Sequence, residues 1–175
     1  NETSELTRSD LEPRILDTNY ADDIRLVTGD VMDWKKKSGW YFDFATVAES
    51  ASGHTSGAAE RAVHKSFVHL DAVYVNTIIP NSAVCSSGGT SWIMAVDYIS
   101  GLAVEYAVLD TNNDGKLTEE DESSIGRSID GLVSESLVKD DVMWTNVTGE
   151  DEGIIDDVLP TVKVGRLGWI ELIKK

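Results

Sequence analysis

AVYVNTIIPNSAVCSSGGTSWIMAVDYISG, residues 72–101, holds two apolar runs separated by a Gly-Gly pair. Residues 72–80 are rich in β-branched and aromatic side chains. Residues 91–97 alternate Trp92, Met94 and Val96 with Ile93, Ala95 and Asp97. Both are strand patterns rather than helical ones. Gly88 and Gly89 supply the turn before the second run, and Gly101 ends that run where a left-handed turn is expected.

Outward from this pair the β pattern continues. RAVHKSFVHL (61–70) meets the run at 72–80 across Leu70-Asp71-Ala72, where Asp71 favours a reversal, so a tight hairpin is expected. GWYFDF (39–44) sets Trp40, Phe42 and Phe44 on one side of a strand, and DIRLVT (23–28) reads the same way. Nearer the start, SDLEPRIL (9–16) suggests one helical turn capped by Ser9. Residues 46–60, rich in Gly, Ser and Ala, read as an exposed loop. Downstream, LAVEYAVLD (102–110) leads into an acidic loop. Residues 118–138 then read as an interrupted helix, with Thr118 as N-cap, Asp121 at the capping-box position and Ile125, Ile129, Leu132 and Val133 as its apolar side. Gly126 and Gly131 break its continuity. TVKVGRLGWIELIKK (161–175) is strand-like again. The expectation is one mainly β domain over 1–175 with about seven or eight strands, and an insertion over 110–140 made of the loop and a short helix.

Composition narrows the function. The chain has 175 residues, of which 41% are hydrophobic and 26% charged, a globular balance with room for a core. The formal charge is -16, which argues against nucleic acid, whose binding needs cationic side chains to neutralise phosphates. It suits a divalent cation or solubility instead. The longest apolar runs fall far short of the roughly 20 residues of a helical membrane span. The chain starts NETSEL, without a basic then apolar leader, and reads as a processed product or an excised fragment. Cys85 is the lone cysteine and reads as a loop or strand-end thiol.

The loop DTNNDGKLTEED (110–121) carries the most chemistry. Calcium takes six to eight oxygens from a chain that turns sharply. With Asp110 at position 1, Asn112 falls at 3, Asp114 at 5, Gly115 at 6, Lys116 at 7, Thr118 at 9 and Asp121 at 12. Asp110, Asn112 and Asp114 would give side-chain oxygens, Lys116 its carbonyl, Thr118 a hydroxyl or water bridge, and Asp121, or a neighbouring Glu in its place, the closing carboxylate. Leu117 would anchor the loop. A strand on one side and a helix on the other is not the helix pair of a calcium sensor, so the ion is expected to act as a structural clip.

Catalytic arrangements are weaker. His64 and His69, five apart on one strand, are expected on opposite faces and do not suggest a shared metal. Acidic pairs such as Asp22-Asp23, Asp140-Asp141 and Asp156-Asp157 read as solvated surface, SSGGTS lacks the lysine of a phosphate loop, and no nucleophile is matched with a base. The five tryptophans, Trp34, Trp40, Trp92, Trp144 and Trp169, read mostly as core.

GWYFDF, HLDAVYVNTIIPNS, CSSGGTSWIMAVDYISG, the Asp-rich loop and the final GRLGWIEL stand in the order seen near the carboxyl end of PilY-type proteins, the tip-associated adhesin and assembly proteins of bacterial type IV pili. The chain resembles that family over roughly residues 6–172, most specifically in GGTSWIMAVD. Ala72 stands where the family's hairpin usually has glycine, so a different turn type is expected. The resemblance implies antiparallel β-propeller-like blades forming a partial propeller, since a blade takes about 40–45 residues and a ring needs several. It also implies a non-enzymatic protein at the pilus tip or outer surface of a bacterium, with roles in pilus biogenesis and adhesion. Its partners would be minor pilins or other pilus subunits and a host or surface receptor. Two alternatives remain: a propeller-derived quinone-dependent dehydrogenase fragment, and an acidic module that docks to a pilin.

Overall fold

A computed structural model describes residues 5–19, 24–44, 48–49, 55–56, 60–81, 88–112, 114–121, 124–139, 141–148, 154–158 and 160. Its strands are β1 (Leu11–Asn19), β2 (Ile24–Thr28), β3 (Gly39–Phe42), β4 (Ala48–Glu49), β5 (Thr55–Ser56), β6 (Arg61–Ala62), β7 (Phe67–His69), β8 (Ala72–Pro80), β9 (Gly89–Asp97), β10 (Gly126–Asp130), β11 (Leu132–Val133), β12 (Leu137–Lys139), β13 (Val142–Thr148) and β14 (Ile154–Val158). Among the described residues the only helical pieces are the 3-10 turns Arg8–Asp10 and Glu119–Asp121. No helix there is long and apolar enough to cross a membrane.

The main sheet runs β3-β1-β2-β10-β9-β8-β6, with β7 also paired to β8. Its centre is the β8–β9 pair, in register from Ala72↔Asp97 to Pro80↔Gly89. The turn from β7 to β8 is the expected tight hairpin, closed by His69↔Ala72. Leu70 takes the left-handed conformation there, with φ 50, so the burden falls two residues before the buried Ala72. Gly101 has φ 69, and its missing Cβ admits the Trp40 ring: a Cβ at Gly101 would stand 2.7 Å from Trp40 Cγ.

Both faces of β9 are covered, which explains why six consecutive residues, Ser91–Val96, are buried rather than alternating with solvent. On one face Ile93 and Ala95 join Ala72, Tyr74, Val104, Val108, Leu109, Ile129, Val133 and Met143. On the other, Trp92 and Met94 meet Ile79, with Phe42, Phe44 and Val75 packed beside them. Phe42 belongs to the far edge strand, so the sheet must curl for it to reach Trp92. The second sheet, β11-β13-β12 with β14 on β13, supplies Val133 and Met143 to the first cluster.

Several expectations are corrected. Among the described residues of 118–138 the expected helix does not form: one 3-10 turn is followed by β10, β11 and β12. β10 fills a slot between β2 and β9, pairing with both. Their backbone groups need partners there, whereas Gly126 and Gly131 are poor helix formers. The 9–16 stretch is likewise only a 3-10 turn at Arg8–Asp10, with Thr7 rather than Ser9 as its cap, before β1 begins. Residues 102–109 are not a strand; they cross the core irregularly and bury Val104, Val108 and Leu109. The loop over 46–60 contains a short β4–β5 pair and ends at the buried Glu60; its remaining residues lie outside those described, as do Cys85 and GRLGWIEL. Of the tryptophans, Trp92 is core, Trp40 and Trp144 are half-buried and Trp34 is exposed; Trp169 is outside the described residues.

The 61–70 run is broken between β6 and β7, so its face alternation is not continuous. His64 Nε2 lies 3.0 Å from Val133 O and His69 Nε2 3.0 Å from Pro160 O. His64 lies outside both strands and His69 ends β7, and each ring reaches a carbonyl further along the chain. A carbonyl only accepts, so each Nε2 carries the proton.

Candidate metal centre

The acidic loop is built around two buried carboxylates, Asp110 (5% exposed) and Asp121 (1% exposed). Asp110 Oδ1 accepts from the Asp114 N–H (3.2 Å) and Oδ2 from the Gly115 N–H (2.7 Å). Asn112 Oδ1 accepts from the same Asp114 N–H at 3.0 Å, which holds an oxygen of position 1 close to an oxygen of position 3. Asp114 Oδ1 in turn accepts from the Lys116 N–H (2.8 Å). The chain can reverse this sharply because Gly115 adopts φ 78, open to glycine without strain.

Asp121 closes the loop from the other side. Its Oδ1 accepts from Thr111 N (2.8 Å), Thr111 Oγ1 (2.9 Å) and Asn112 N (3.4 Å), and its Oδ2 from Thr118 N (3.0 Å) and Thr118 Oγ1 (3.3 Å). Burial pushes the Asp121 carboxyl up, but the hydrogen bonds from Thr118, Thr111 and Asn112 outweigh it and hold the group below the ordinary carboxylate range. Thr118 and Asp121 keep half of the expected capping box, since the Asp121 carboxylate accepts from Thr118 N, while Asp121 N donates to Thr118 O at 3.1 Å as the backbone bond of the turn. The helix this box would start stops after one turn.

All six residues singled out by spacing therefore sit in one hydrogen-bonded loop. Asp110, Asn112 and Asp114 are joined through the Asp114 N–H, Lys116 is tied to Asp114, and Thr118 to Asp121. No group of three or more His, Cys, Asp and Glu side chains arranged to hold a metal occurs among the described residues. The donor set does fit a hard cation, provided the Asn112 amide oxygen, the Lys116 carbonyl and the Thr118 hydroxyl complete what the carboxylates begin. Sequence reasoning missed Thr111 and Arg127, and named a neighbouring Glu only as an alternative closing carboxylate. Thr111 gives Asp121 two donors, Asn112 Nδ2 contacts Glu120 Oε2 at 3.4 Å, and Arg127 Nη1, from β10, donates to Asp110 O at 3.3 Å. Only Thr111, directly after the first ligand, carried a signal, as a hydroxyl inside the loop.

No family model matches the chain. In sequence it is 30% identical over 113 residues to the type IV pilus biogenesis factor PilY1 homolog of Xylella fastidiosa; the match takes in 64% of this chain and 7% of that protein. In fold it is similar to the crystal structure of the Pseudomonas aeruginosa PilY1 C-terminal domain, with a TM-score of 0.57 and 18% identity, over 89% of this chain and 32% of that one. The chain thus spans a small part of the curated relative it matches. The resemblance to the carboxyl-terminal part of PilY-type proteins holds in both sequence and fold.

Proposed function

We propose that this chain is a calcium-binding, non-enzymatic part of a PilY-type protein that serves type IV pilus biogenesis and adhesion at the bacterial surface or pilus tip. The likeness to a PilY1 homolog and to the PilY1 C-terminal domain supports the pilus assignment. The curled, mainly antiparallel sheets are compatible with propeller-like blades. Its partners are then minor pilins or other pilus subunits, and a surface receptor.

The observation that carries the calcium reading is the pair of buried carboxylates, Asp110 and Asp121, held in one turn with Asn112, Asp114 and Thr118. When bound, a calcium ion supplies two positive charges against carboxylates that burial otherwise penalises. The loop N–H groups orient those carboxylates in advance, so little ordering remains at the moment of binding. The ion then clips the segment between the irregular 102–109 crossing and β10, a structural role in keeping with a loop entered and left without long helices.

Isothermal calorimetry with calcium tests this reading. The wild-type chain should bind, its melting temperature should rise in calcium, and Asp114→Ala should lose both effects. At a hundred times the dissociation constant the stabilisation expected is about 2.7 kcal/mol. No heat and no thermal shift at millimolar calcium would reject the site.

A further inference from the structure

The sequence contains two Asp-Gly pairs, Asp114-Gly115 and Asp130-Gly131, and the structure treats them differently. Asp130 is exposed but Gly131 is buried. The Gly131 N–H donates to Gly89 O at 3.0 Å, and a Cβ at Gly131 would stand 2.6 Å from Val147 Cγ1. Asp114 and Gly115 are both exposed, with nothing within 4 Å of a Cβ placed on Gly115. The Asp114 Oδ1 bond to the Lys116 N–H folds the carboxyl back across the Gly115 peptide. The Gly115 nitrogen itself is held by Asp110 Oδ2 at 2.7 Å.

From this geometry we propose that Asp114-Gly115 is a latent isomerisation site of the chain, and that Asp110 guards it. The Gly115 nitrogen attacks the Asp114 side-chain carbonyl carbon in its protonated carboxyl form. The new N–C bond forms, the carboxyl C–OH bond breaks, and the hydroxyl leaves with the amide proton as one water. Hydrolysis of the resulting succinimide returns that water. Opening at the side-chain carbonyl restores aspartate, whereas opening at the main-chain carbonyl gives isoaspartate. The step needs no co-reactant. Asp110 opposes it by accepting the Gly115 N–H and so fixing the plane of that peptide. An isoaspartate adds a methylene to the backbone at loop position 5 and withdraws the Asp114 side-chain oxygen, so the modification would disable the loop permanently.

The test follows isoaspartate at 114 and at 130 by peptide mapping and electron-transfer fragmentation, during incubation of the chain at neutral pH and body temperature in a chelator, so that no cation takes part. Isoaspartate should accumulate at 114 ahead of 130. Asp110→Ala and the shape-preserving Asp110→Asn should each speed the reaction at 114 by about tenfold, the factor for losing a charge-assisted hydrogen bond, without changing position 130. Equal accumulation at the two sites in wild type, equal acceleration at both in the variants, or an unchanged or slower reaction at 114 overturns the proposal. Calcium affinity plays no part in this readout, so its outcome is separate from that of the calorimetric test.

Discussion

Asp121 shows how a single buried carboxylate can be stabilised by its neighbours alone. Its folded pKa lies below the ordinary value, so its contribution is present above the unfolded carboxylate value of about 3.9 and is lost as pH falls through the lower folded value. Chemical denaturation in calcium-free buffer from neutral pH to about pH 2 should therefore show Asp121→Asn less stable than wild type above pH ~4, with the two curves converging on acidification. Parallel curves would contradict the assignment. Spacing alone placed Asp121 in the loop, but it did not expose the bonds from Thr111 and Thr118, because a ligand pattern lists oxygens and leaves out the N–H groups that aim them. Gly101 is the opposite case, legible as a turn glycine but with its second task hidden. It lies under Trp40, whose Nε1 donates to Tyr98 O at 3.2 Å. Gly101→Ala should cost at least about 2 kcal/mol in denaturant unfolding, from left-handed strain together with displacement of the ring.

At the scale of elements, β8 and β9 were legible because β-branched and aromatic runs bounded by Gly, Pro and Asp admit few other readings. β10 was not. Ile125, Ile129, Leu132 and Val133 have helical spacing, and only the vacant slot between β2 and β9, a long-range feature, overrides it. The same slot is spanned by a buried ion pair. Arg25 on β2 holds Glu60 through Nη1 at 2.7 Å and Nη2 at 3.0 Å, stacks over Trp92 at 4.1 Å, and Glu60 also accepts from Thr77 Oγ1 at 2.6 Å. Both side chains are almost fully buried, so removing one partner strands a charge. Glu60→Ala should destabilise by about 3–5 kcal/mol, while Arg25→Met with Glu60→Leu should recover much of that loss. A double variant no better than the single one would show that Thr77 and Trp92 depend on the charges themselves.

In the whole molecule the two sheets share one core. Val133 and Met143 from the smaller sheet lie in the same cluster as Tyr74, Ile93 and Ala95 from the larger. Polar contacts repeat the join: Ser91 Oγ donates to Gly131 O at 2.7 Å and accepts from Val133 N at 3.0 Å, and Asn76 Nδ2 donates to Ser134 O at 2.9 Å. Neither sheet can lose the other without exposing apolar surface and unpairing these groups, so their unfolding should be coupled. Met143→Ala removes a side chain that is 0% exposed and should cost about 2–5 kcal/mol. Because Trp92 lies in the larger sheet and Met143 in the smaller, the loss, measured in a Trp144→Phe background so that β13 carries no tryptophan, should shift tryptophan fluorescence and far-ultraviolet circular dichroism by the same amount in denaturant. If the fluorescence transition stayed in place while only part of the dichroism moved, the smaller sheet would be an independent unit resting on the larger one, and the shared cluster would be a contact surface rather than a common core.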